Sequence, residues 1–365
     1  MCDYTMDPSG DVVLTLKTPN APLAIWDAGD TEPTASTTPS DGPVTFLVSS
    51  RHLILASPVL KAMLTGGWDE GAANNGQRQI RAEDWDAEAL EIVMNVLHNH
   101  YRSVPKMVTL KLLAKIALIV DYYEVHEALQ MMASMWIHAL RKSLPNSFGT
   151  GVVLWTLVSW VFGDAAVFKR ITKVAILRSR KDVEIPQELP IPLAVIDRIN
   201  QHRKDSMGVI SAGLHRLRQD YTEGREGCSP ECSAMHLGAL IKHLHTHKFL
   251  DHPLETPFGD SSLVEVVECL SGLKSPTFYV VATGDGSRFS SARCIHRVHQ
   301  CPRRTQVGVE AFNLGVGENC SRDEHSIASI STLKDFAALL VHGVKDKLEG
   351  LRLADFQLVS DTQEQ

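Results

Sequence analysis

No hydrophobic run in this chain is long enough to cross a bilayer. The most apolar stretch, residues 151–162 (GVVLWTLVSWVF), falls short of the ~20 residues a spanning helix needs and reads as a buried helix. Positive charge is not in excess either. Lys and Arg number 36 against 43 Asp and Glu, a net charge of −7 with a pI near 6.1, which argues against a general nucleic-acid surface. The opening MCDYTMDPSGD has neither the apolar core of a secretory signal nor the Arg-rich character of a transit peptide. The expectation is a cytoplasmic and/or nuclear setting, where the seven cysteines stay reduced and disulfides are a poor default. No fixed-period repeat is present, which argues against kelch and ankyrin arrays.

Enzyme signatures are missing too. There is no GxxxxGK[ST] phosphate loop, no GxSxG nucleophile elbow and no HExxH zinc motif. Gly315-Val316-Gly317 lacks the third glycine of a dinucleotide fingerprint. No carboxylate pair stands out. The chain is therefore expected not to be an enzyme. An enzyme of unknown class in the C-terminal region stays as an alternative that a pocket of converging titratable groups would revive.

What is present is a large apolar fraction, 44 % of 365 residues, enough for two domains or for one with a long extension. Asp11–Leu16 and Val44–Val48 read as strands, separated by a Pro/Gly/Ser/Thr-rich loop over 27–43. His52–Leu64 has helical spacing, with Pro58 splitting it into two pieces. A short strand at Gln79–Arg81 follows, then a helix capped by Asp84 or Asp86 and carrying Leu90, Val93, Met94 and Leu97. Helices are predicted over Leu110–Val120, Tyr123–Leu140 and Val152–Arg178, the last with a basic end from Lys169 to Lys181. Pro186–Pro192 reads as a boundary. Beyond it come a long helix over Leu193–Leu217, helices over Leu237–Leu250 and Leu263–Leu273, a strand at Thr277–Ala282 and a helix over Leu333–Leu351. The expected class is α+β. Its divisions are a first domain to residue 143, a helical layer over 144–185, a mainly helical domain over 186–358 with a Cys/His loop region, and a loose tail over 359–365.

The order strand, split helix, strand, capped helix, two helices carries two specific words: Ala56-Ser57-Pro58, and Val120 to His126 (VDYYEVH). Over roughly Asp11–Arg141 this resembles the BTB/POZ domain in the form found in filamentous fungi. The stretches CSPECSAMHLGALIKHL and GDSSLVEVVECLSGLKSPTF resemble the tail that accompanies it. The resemblance implies a small sheet on a helical cluster and a non-catalytic, protein-binding role: self-association as a homodimer, pairing with other BTB proteins, or service as an adaptor for a cullin-based ubiquitin ligase. It points to Leu53, Ile54, Val59, Leu60 and Met63 as a dimer surface, and to Leu97, His98, His100 and Tyr101 as a cullin face. Taken singly, apolar residues at this spacing are usually core. Many animal members carry a His-Lys pair before the first helix, facing an Asp of the first strand; here Ser49-Ser50 stand there, opposite Asp11.

Two further patterns bear on metals. Cys228 and Cys232, with His299 and Cys301 far downstream, form the most economical set of four ligands for a structural zinc, although Cys294 and His296 compete and buried thiols are common. No other cofactor is implied. His243 and His247 lie one helical turn apart, as metal ligands or as part of a polar helix face. A nuclear, chromatin-associated scaffold with structural zinc is the alternative function, and it would use the basic segment ending at Lys181.

Overall fold

A computed structural model describes residues 2–20, 42–66, 78–186, 188–249, 260–277, 279–281, 296–298, 333, 338, 341–342 and 349–360, with only the backbone described at the two C-terminal strands. The expected loop over 27–43 lies almost wholly outside them. The protein is mixed α+β and divides into two compact units: Met1–Asn200 with Glu349–Gln365, and Gln201–Leu348. The sequence suggests breaks near 143 and 185 instead. The helices after 143 share the core of those before, so compactness does not part them.

The first unit is built on a four-stranded sheet of order β1-β3-β2-β4, made of β1 (Tyr4–Thr5), β2 (Val12–Lys17), β3 (Val44–Val48) and β4 (Arg78–Glu83). In β2 Val12, Leu14 and Leu16 are buried and alternate with more exposed neighbours, which fixes the face presented to the core. Leu14 registers against Phe46 of antiparallel β3 and against Ile80 of parallel β4, so the inward residues form one apolar row. A parallel return requires a crossover. The chain supplies it with α1 (Ser50–Ala56) and α2 (Pro58–Thr65). Strand β1 was not legible in the sequence; it pairs parallel with β3 over two residues, with Tyr4 stacked on Phe46 at 4.8 Å.

Two of the early helix starts have a local chemical cause. Pro58 occupies the first position of α2, where its missing N–H costs nothing. The Ser57 hydroxyl accepts from Leu60 N–H at 2.9 Å and donates to the Tyr123 carbonyl at 2.6 Å. Helix α3 (Ala87–Leu97) is capped by Asp86, not Asp84. The Asp86 carboxylate accepts from Ala89 N–H at 3.0 Å and pairs with Lys115 of α4 (Leu110–Tyr122). Helix α5 (His126–Leu140) holds the preceding loop through Trp136 Nε1, which donates to the Pro105 carbonyl at 2.8 Å.

The single helix expected over Val152–Arg178 is two. α6 (Thr150–Val161) ends where Gly163 turns left-handed at φ +69°, and Asp164 caps α7 (Ala165–Arg178) by accepting from Val167 N–H at 3.0 Å. Apolar spacing runs through the break because both helices bury a face. α6 is buried nearly all round and packs against α4 and α7, which accounts for its composition. Among the described residues no helix is long and apolar enough to cross a membrane. Residues 349–352, expected to end a helix, have no regular structure. They lie along α7 with Leu351 N–H donating to Thr172 Oγ1 at 2.9 Å, and a Cβ at Gly350 would collide with the Lys169 carbonyl oxygen. A closing helix, Ala354–Ser360, sets Phe356 against Phe168.

α8 (Leu193–Thr222) runs past the position that divides the units. In the second unit α9 (Pro230–Thr246) is capped by Ser229, and α10 (Leu263–Ser271) by a reciprocal Ser262–Glu265 box. The Ser233 hydroxyl donates to the Tyr221 carbonyl, and the His236 ring stacks on Tyr221 at 5.6 Å, joining α9 to the end of α8. An antiparallel pair, β5 (Tyr279–Val281) and β6 (His296–Val298), completes the described part.

Ser57→Ala should destabilise the first unit by about 2–4 kcal/mol, combining a lost helix cap with a buried carbonyl left unpaired. All six tryptophans precede residue 161, so tryptophan fluorescence during urea unfolding reads this unit alone. A loss below ~1 kcal/mol would show that the hydroxyl matters less than its geometry suggests.

Candidate functional site

The outward side of α1 and α2 carries apolar residues, with Arg51, Lys61 and Thr65 also exposed on the two helices. Leu55 is 90 % exposed, Pro58 and Ala62 are exposed, and Ile54, Val59 and Met63 are half-buried. Val59 and Met63 are one turn apart and so share a helix face. Leu53 and Leu60 were expected on this surface too, but both are fully buried and belong to the core. Leu60 and Leu64, one turn apart, mark the inward stripe of α2, and Leu53 is the buried apolar residue of α1. Leu55, which no motif singled out, is the most exposed large apolar residue of the chain's described part.

Asp11 and Ser50 hold the start of this surface. Ser50 N–H and Ser50 Oγ donate to the two Asp11 carboxylate oxygens at 2.8 and 2.7 Å, and Arg78 of β4 stands 3.6 Å from the same carboxylate. Burial works to raise the Asp11 carboxyl, but the Ser50 hydrogen bonds and the Arg78 charge outweigh it, and the group lies below the ordinary carboxylate value. The carboxylate also faces the N-terminus of α1, whose own N-cap, Ser49, makes no side-chain cap.

The second expected surface divides in the same way. His100 and Tyr101 are exposed, Tyr101 by 46 %, whereas Leu97 and His98 are buried. His98 is a fixed structural link. Its Nε2 accepts from Ser49 N–H at 3.0 Å, so Nδ1 carries the proton and donates to the Met94 carbonyl at 2.8 Å. The neutral ring thereby ties the end of α3 to the start of α1. Burial lowers its pKa, and the neighbouring His52 and His100 rings push the same way, against the Met94 bond and Asp7. Exposed Met131 and Met135, one turn apart on α5, and exposed Met107 add adaptable apolar surface that the sequence pattern did not distinguish from core.

The four-ligand zinc set is not assembled among the described residues. His299 and Cys301 lie outside them. Cys232 is buried within α9, its sulfur 3.6 Å from His236 Nδ1 on the next turn, and Cys228 and Cys232 join no group of three potential ligands there. The grouping that does form is His243, His247 and Cys269. Sequence spacing offered the two histidines; nothing in it linked Cys269, which arrives from another helix. In the basic segment, Lys169 forms an ion pair with Glu349. No protein-family model matches the chain, and no curated protein matches it.

The His98 arrangement predicts a pH response of known sign. A histidine held below its ordinary 6.5 contributes stability that is whole above that value and is lost as pH falls beneath it, because the unfolded ring takes its proton first. Fluorescence-monitored unfolding should show the first unit weakening on acidification below pH 6.5, with a shallower slope in His98→Gln. An unchanged slope in the variant would remove His98 as the cause.

Proposed function

We propose that the first unit is a BTB/POZ-type interaction module whose α1–α2 face pairs with a second copy of this chain. The apolar set of exposed Leu55 with half-buried Ile54, Val59 and Met63 carries this reading, lying where the resemblance puts a dimer surface. Three observations support it. The strand and helix order from β2 to α5 follows the expected one. The two words behind the resemblance touch, through Ser57 Oγ and the Tyr123 carbonyl. Asp11 is also satisfied without the His-Lys pair of many animal members, by Ser50 and Arg78. The role is non-catalytic. Exposed His100 and Tyr101 are then the places for a cullin scaffold to touch, and the second unit recruits the target. Other BTB proteins are alternative occupants of the same face.

A stable pair buries at least about 1,000 Å² in total, with apolar anchors at its centre and polar groups at its rim. Burying one leucine is worth about 1.5–3 kcal/mol, and a two-fold interface uses it twice. Leu55→Glu should therefore weaken self-association by roughly 10²–10⁴-fold while leaving fluorescence-monitored unfolding unchanged. Sedimentation velocity on the full chain measures this. A wild type that stays monomeric, or a variant as dimeric as the wild type, sinks the proposed pairing. Tyr101→Glu in the same assay should leave the dimer intact and reduce capture of a purified cullin.

A further inference from the structure

We infer that His243, His247 and Cys269 form a binding site in the second unit for a borderline-soft divalent cation of the zinc type. The ligand atoms of the three residues all lie within 4.8 Å of one another. His243 and His247 stand one turn apart at the end of α9, ring centroids 4.7 Å apart. Cys269 comes from the last turn of α10, its sulfur 3.4 Å from His243 Nε2. Tetrahedral zinc with Zn–S near 2.3 Å and Zn–N near 2.0–2.1 Å separates a sulfur and a nitrogen ligand by about 3.5 Å. That pair is therefore already at coordination spacing, and a small turn of the His247 side chain closes the third side.

The surroundings favour a cation. Both helices present their C-terminal ends, the negative end of the helix dipole. His243 Nε2 also lies 2.9 Å from the Cys269 carbonyl oxygen. That carbonyl accepts from Gly272 N–H at 3.0 Å as well, so it keeps a partner when the imidazole nitrogen turns to a metal. Burial pushes the Cys269 thiol up to about 11, and a divalent ion beside the sulfur supplies the countercharge a thiolate there would otherwise lack. His247 is exposed and gives the ion its way in, while Cys269 is buried. Two imidazoles and one thiolate select zinc, cobalt or copper(I) over magnesium or calcium, which take oxygen ligands. A water takes the fourth position.

This site is distinct from the Cys228, Cys232, His299 and Cys301 set, so the test is run in a Cys228→Ser background that breaks that set. The full chain is equilibrated with zinc, desalted and assayed for bound metal; cobalt(II) is then used as a spectroscopic probe. The expected result is about one zinc per chain in that background, falling below about half in His247→Ala or Cys269→Ser. Exposed His245→Ala, on the same helix, should be neutral. Cobalt should give a thiolate charge-transfer band that Cys269→Ser abolishes. The exposed position of His247 makes its substitution a mild one, so far-ultraviolet circular dichroism should match the parent. Three results would overturn the site: no zinc in the Cys228→Ser background, full zinc retained in His247→Ala, or a cobalt spectrum unaltered by Cys269→Ser. Each would leave His243 as a histidine that only tethers α9 to the end of α10.

Discussion

Ser57 uses one hydroxyl for two tasks: it caps the helix that Pro58 begins, and it reaches across the first unit to the Tyr123 carbonyl at the end of α4. The outer face of α1 and α2 depends on that bridge. Without it, the short helices would be held mainly by Leu53, Leu60 and Leu64, whose burial fixes depth but not rotation. The Asp11–Ser50 and Ser49–His98 bonds set the other end of α1, so three polar contacts define the direction in which Leu55 points. Directional bonds of this kind contribute modestly to net stability, but leaving one unmade is costly, and so they specify one arrangement.

Much of the first unit was legible because its signals are local. The alternation in β2, the Pro58 break, the cap at Asp86 and the dense apolar faces of α4 and α5 need no distant partner to be read. The failures share the opposite property. β1 is a strand only because β3 lies beside it. The α6–α7 break rests on one left-handed glycine and an aspartate, too small a signal against continuous apolar spacing. The end of the predicted helix at 351 failed because α7 offers Thr172 to the backbone there.

The candidate surface was legible in type but not in face. Helical spacing shows that Leu53, Ile54, Val59, Leu60 and Met63 are apolar neighbours; which of them look outward depends on where the sheet and α3 lie. His98 shows the same limit for polar residues. A histidine after an apolar run reads as surface, yet this one is buried because it supplies both a donor and an acceptor to backbone groups that have no water. The ligand cluster in the second unit is a tertiary coincidence of two helix ends, so only one of its two sources could be seen along the chain.

The return of residues 349–360 to α7 makes the first unit discontinuous in sequence, with 201–348 interposed. During synthesis, α7 waits without its Leu351 and Phe356 partners until the whole interposed segment has left the ribosome. At about 5–20 residues per second that interval is on the order of ten seconds. Throughout it, Phe168 lacks the ring that later covers it, and Gly350 leaves no room for a bulkier late arrival against Lys169. The nascent chain thus carries an uncovered apolar face on α7 through this window.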